Sequence, residues 1–140
     1  MTLTYEQAET GLTGTAPSLA PGQAAAVELL LWHESWLRRE DFRLACLSAS
    51  PAVLLDWSAA ANFLAAAPEG ASSSQVAVLE VAIALAEDQF HLAGLGHAHR
   101  RAVAQAFAAA LGQELTPAMP VHSHSGVIPC EPPCPLAVQP

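Results

Sequence analysis

Apolar positions recur with a helical period through the middle of the chain and lose it toward both ends. Residues 1–21, rich in Thr, Gly, Ala and Pro, show no sustained repeat. They are expected to form a flexible N-terminal arm with one helical turn around Tyr5 to Glu9. After Pro21-Gly22, Leu29, Trp32 and Trp36 are spaced by three and then four residues, and Val27, Leu30, Leu31 and Leu37 widen the same face. This spacing predicts a first helix running to about Arg39. Glu34 stands four residues before Arg38, the favourable order for a surface ion pair. Asp41 is a candidate cap for a short helix from Phe42 to about Ser48, which Ser48-Ala49-Ser50-Pro51 then breaks.

Val53-Leu54-Leu55 reads as a brief extended segment. Asp56 is a suitable N-cap for a helix from Trp57 to Ala67, with Trp57, Ala60, Ala61 and Leu64 on one face and Pro68-Glu69-Gly70 ending it. Ser72 and Gln75 match a capping box that opens a helix over about 73–90. Val76, Val78, Leu79, Val81, Ile83 and Leu85 make that helix apolar nearly all round, the character of a central, buried helix. Gln89 to Leu95 reads as a connector. A last helix runs from about His97 to Leu111 on the stripe Val103, Ala106, Phe107, Ala110 and Leu111, with Gly112 as C-cap and Pro117 as stop. The final 25 residues hold seven of the chain's eleven prolines, which rules out a sustained helix there. The expected organisation is a flexible arm over 1–21, a helical domain over 22–115 and a Pro-rich disordered tail over 116–140. The expected fold is an all-α bundle of four to five short helices with a minor extended segment at 53–55.

The stretch from Leu55-Asp56-Trp57 to Ala110-Leu111-Gly112 resembles small uncharacterised helical proteins of actinobacteria. These share an apolar-Asp-Trp helix start, a Ser-rich cap before an Ala/Leu helix, a connector, and an Ala-rich helix ending in Gly. The resemblance covers less than half of the chain. It implies the order of elements and carries no biochemical role.

Composition then narrows the function classes. Hydrophobic residues make up 52% and charged residues only 13%, so apolar area is expected on the surface of the monomer. A homo-oligomer or a protein partner would cover it. Net charge is −8 with no lysine, and the basic residues are Arg38, Arg39, Arg43, Arg100 and Arg101. Nucleic acid and anionic membrane surfaces are therefore not expected as partners. No apolar run reaches the length of a membrane span, and Met1 to Thr10 lacks the basic and apolar regions of a secretory signal. With three cysteines, an odd number, the expected location is the reducing cytoplasm.

Four candidate sites compete with simpler readings. His122, His124, Cys130 and Cys134 are the densest set of metal-ligand types and would suit zinc. Their spacing, H-x-H-x5-C-x3-C, matches no standard zinc pattern, and a polyproline stretch through Pro132-Pro133 would hold the cysteines roughly 12 Å apart. Trp32 and Trp36 could stack on one helix face, either as core or as a partner-binding anchor. Arg100 and Arg101, near a helix start, could receive a partner's carboxylate or phosphate, or simply be solvated. His97 and His99 lie about 200° apart on a helix and cannot chelate together. His99 would touch the core edge and His97 the solvent. Cys46 falls on an apolar face as an inert core thiol, and Ser72 to Ser74 are explained by capping. Trp32-His33-Glu34-Ser35-Trp36 fails as H-E-x-x-H because Leu37 stands at the second histidine position. No catalytic motif emerges, so no enzyme activity and no cofactor are expected. The leading expectation is a self-associating interaction or accessory module. A metal-binding protein using the His/Cys tail and a helix-turn-helix regulator are the alternatives, the last opposed by the net charge.

Overall fold

A computed structural model describes residues 2–113 of the chain. The proposed tail, with His122, His124, Cys130 and Cys134, lies outside the described residues. Thr4 opens the first helix, α1 (Tyr5–Thr15), with a full capping box: its hydroxyl accepts from the Gln7 N–H, and the Gln7 side chain accepts from the Thr4 N–H. The expected arm is thus corrected to an eleven-residue helix. Tyr5, Ala8 and Leu12 are spaced by three and four residues, and Ala8 and Leu12 are fully buried. The period escapes a sequence reading because most residues on this face are small. Gly11 is small for a reason, since a Cβ there would collide with the Val53 side chain. Thr15 fixes the same approach from its hydroxyl, which donates to the Val53 carbonyl at 3.1 Å.

A 3-10 turn (Ala16–Ser18) leads to α2 (Pro21–His33), where Pro21 takes a first-turn position that needs no N–H. Ala26, Val27 and Leu30 form its buried stripe. The predicted continuous helix to Arg39 does not occur. Glu34 has φ 57° and ψ −35°, outside both helical wells, and the chain restarts as α3 (Ser35–Arg38). A non-glycine backbone in such a region costs on the order of 1–3 kcal/mol. Immediately after the break, Trp36 and Leu37 enter the core. The Glu34–Arg38 pair forms as expected, at 2.6 Å.

Arg39 then starts α4 (Glu40–Cys46), so Asp41 lies within the first turn instead of capping it. Leu47–Ser48 is not helical but forms β1, paired antiparallel with β2 (Leu54–Leu55) in the register Leu47 to Leu55 and Ser48 to Leu54. The extended segment expected at 53–55 is this second strand. The Ser50–Pro51 bond between the strands is cis.

Asp56 caps α5 (Trp57–Ala65) through the Ala59 N–H at 2.9 Å. The Ser72–Gln75 capping box opens α6 (Ser73–Ala86) as predicted, although the helix ends four residues early. The end is set by Asp88 at φ 52°, whose left-handed backbone lets the Gln89 N–H reach the Ala84 carbonyl at 2.9 Å. α6 is the central helix, packed against α2, α3 and α5. Leu79, Ala82, Ile83 and Ala84 are buried, while Val81 is exposed, so the helix is not covered all round. At Gly22 a Cβ would meet the Leu85 carbonyl oxygen, so α2 and α6 touch backbone to backbone there.

A 3-10 turn (Leu92–Gly94) precedes α7 (His97–Ala110). Gly112, at φ 69°, ends α7 with the Gln113 N–H on the Ala108 carbonyl at 2.8 Å, a Schellman closure. Of the stripe predicted to face a core, Ala106, Phe107, Ala110 and Leu111 are exposed, and Ala108 is the buried residue of α7.

The described residues therefore carry seven α-helices and one two-stranded ribbon, a mostly helical fold with more helices than expected. The chain divides into two units, residues 1–100 and 101–140. The first unit begins with α1, because Leu12 and Ala16 belong to its core.

Candidate partner-binding surface

Trp32 and Trp36 part company at the Glu34 break. Within α2, Trp32 lies two residues beyond the buried Leu30, about 200° around the helix, and points away from the core. It is 82% exposed. Trp36 is 1% exposed and anchors an aromatic cluster, with ring centroids 5.5 Å from Phe42 and 6.1 Å from Phe63. Its indole Nε1 donates to the Gln75 carbonyl at 2.8 Å, so the buried donor is satisfied. The stacked pair does not exist: Trp36 is core and Trp32 is surface. In the same unit Leu44, Leu54 and Val81 are also exposed apolar side chains.

A trough of about 550 Å³ runs between α5, α6 and the turn joining them. It exists because Ala61, Ala65 and Ala71 are too short to fill the gap that Leu64, Val76 and Ile83 border. Glu80 and Gln89 supply its side-chain polarity. One carboxylate and one amide offer no nucleophile paired with a base, so the trough can hold apolar groups but gives no catalytic constellation.

The arginines near the site are structural. The Arg38 guanidinium stands 4.4 Å over the Tyr5 ring. Arg39 grips Asp41 through two nitrogens at 3.0 and 2.6 Å and donates to the Glu69 carbonyl at 2.9 Å. That pairing holds the Asp41 carboxyl below its ordinary range. Arg43 donates to the Leu3 and Leu37 carbonyls at 2.9 and 2.7 Å, tying the start of α1 to α3 and α4. Sequence reasoning missed the Arg39–Glu69 and Arg43–Leu3 clamps, since their acceptors are backbone carbonyls 30 and 40 residues away. Arg100 and Arg101 are exposed on α7, and Arg100 donates to the Leu95 carbonyl at 2.9 Å. His97 and His99 are both exposed, which corrects the expected core contact of His99. The His99 ring turns back toward Gly96 instead.

Cys46 is buried, and desolvation, reinforced by Asp56 and Asp41, pushes its thiol from 9.0 up to about 12. In a Cys130→Ser, Cys134→Ser background, Cys46 is expected to resist an aromatic disulfide reagent at pH 8 until urea unfolds the protein. The unfolded thiol ionises near pH 9 and the folded one only near 12, so unfolding releases a proton between these values. Stability from this group is therefore full below pH 9 and declines as pH rises toward 12. Labelling of the folded protein at the rate of a free thiol would contradict the burial.

Among the described residues, no group of three His, Cys, Asp or Glu side chains is arranged to hold a metal ion. No described helix is long and apolar enough to cross a membrane. No family model, curated protein or solved structure matches the chain.

Proposed function

We propose that this protein is a non-catalytic interaction module that self-associates through the surface around Trp32. The observation that carries the reading is the 82% exposure of the Trp32 indole on an ordered helix. An exposed tryptophan forgoes the hydrophobic gain of burial, and tryptophan is enriched among the residues that dominate interface energies. The low charge content of the chain points the same way, because few charged groups oppose close approach of two copies. A reducing cytoplasmic setting fits a fold that keeps Cys46 as a buried thiol.

Size-exclusion chromatography with light scattering, run across a concentration series, tests this. The wild type is expected to associate, and Trp32→Ala to weaken association at least tenfold, the effect of losing a hot spot of about 2 kcal/mol. A wild type that stays monomeric at every concentration would sink the proposal.

A further inference from the structure

We infer that two copies of this chain associate by exchanging α1 and α2 about a hinge at Glu34. The inference rests on self-association as proposed above and names its route. Three observations meet at the hinge. Glu34, not glycine, holds φ 57° and ψ −35°. The neighbouring His33 buries its Nδ1 without a hydrogen-bond partner. Trp32, one residue earlier, leaves its indole in solvent. Each is unfavourable, and all three fall at consecutive residues, 32–34, where α2 ends and gives way to α3, two helices that the sequence would join.

The local sequence favours that joining. From Gln23 to Ser50 there is neither glycine nor proline. Leu29, Trp32 and Trp36 follow a continuous helical period. Moving Glu34 into the helical well would fuse α2 and α3 into one helix over residues 21–38. The first N–H groups of α3 would then find acceptors within that helix. The Glu34–Arg38 pair, spaced i to i+4, survives the change.

Straightening carries the N-terminal segment away from its own unit. In the bent form that segment packs on the rest of the unit with α2 along α6 and α1 against α3 and β2, and the Arg43–Leu3 and Thr15–Val53 hydrogen bonds tie it down. A second copy with the same straightened hinge presents the same surfaces, so the exchange re-forms these contacts between copies, and the α2–α3 packing at the hinge itself is what changes. Trp36 stays in its own core, still beside Gln75. Trp32, one turn earlier on the fused helix, moves to where the two long helices cross. A strained hinge beside a large reciprocal contact is the usual setting for such exchange.

The test combines a hinge variant with a mixing experiment on the full chain. Glu34→Gly removes the strain of the bent form and disfavours the fused helix, and a dimer contains two hinges. It is expected to weaken dimerisation by about tenfold or more. Glu34→Asn, which tolerates positive φ, is expected to act in the same direction by a smaller factor. Separately labelled wild-type dimers, once mixed, are expected to exchange subunits only as slowly as the protein unfolds, read by energy transfer between labels. A dimer that Trp32→Ala weakens, that ignores Glu34→Gly and mixes within seconds, overturns the exchange while leaving surface association standing. A wild type monomeric at every concentration overturns both.

Discussion

Trp36→Ala is expected to lower the stability of the unit by about 3–5 kcal/mol, the range for losing a large aromatic from a core. That is a large part of the 5–15 kcal/mol that holds a typical domain together. Three losses combine. The cavity opens beside Phe42 and Phe63, which stand 5.5 Å apart at centroids and lose their common neighbour. The Gln75 carbonyl loses its indole donor at the start of α6, the helix on which α2, α3 and α5 pack. The ring beneath the Arg39 guanidinium, 5.6 Å from its centroid, also disappears. Trp32→Ala, the same change four residues earlier, is expected to move the monomer by less than about 0.5 kcal/mol. Urea unfolding of the two variants at a concentration that keeps them monomeric makes the comparison. Equal losses at both positions would mean that the two tryptophans are buried alike and would contradict their division at Glu34.

Gly22→Ala is expected to reverse the sign that helix propensity gives. Alanine favours a helical backbone over glycine by about 1 kcal/mol, and Gly22 lies in the first turn of α2. Yet the added Cβ points at the Leu85 carbonyl oxygen, a backbone atom that cannot turn aside. α2 and α6 must move apart along the contact that includes Val27, Leu30 and Leu79, at a cost of about 1–3 kcal/mol. Gly14→Ala is the control. Its Cβ would meet nothing within 4 Å on the same kind of backbone, so that variant is expected to gain up to about 1 kcal/mol. Thermal or urea unfolding reads both. If the two variants shift the same way, the close crossing of α2 and α6 is wrong.

The elements that sequence reading captured are those whose signal is local. Asp56 and the Ser72–Gln75 pair cap their helices with their own side chains, so the chemistry of the start is written within four residues. The Thr4–Gln7 box at α1 is the same kind of signal, yet the residues after it looked like a linker. Gly11 and Gly14 suggest a flexible arm by composition, while Gly11 is in fact a contact point chosen for smallness. Such a role depends on Val53, more than forty residues away, and no periodicity reveals it. The Glu34 break was equally illegible. Leu31-Trp32-His33-Glu34-Ser35-Trp36-Leu37 reads as good helix, and the backbone departs from that preference at Glu34, just before Trp36 and Leu37 enter the core. The candidate surface was half legible for this reason. The residue types were apparent, but which tryptophan faces solvent is decided by one pair of dihedral angles.

That division gives the molecule two optical probes placed on either side of its own bend. An indole in water emits at longer wavelength and is open to collisional quenchers such as iodide. One packed among phenylalanines and bonded to a carbonyl is shielded from both influences. Red-edge emission, quenched first, therefore reports the solvent side at Trp32, while the blue, protected part reports the interior at Trp36, with the partly buried Trp57 between them. The native chain can signal a change in either environment without any attached dye.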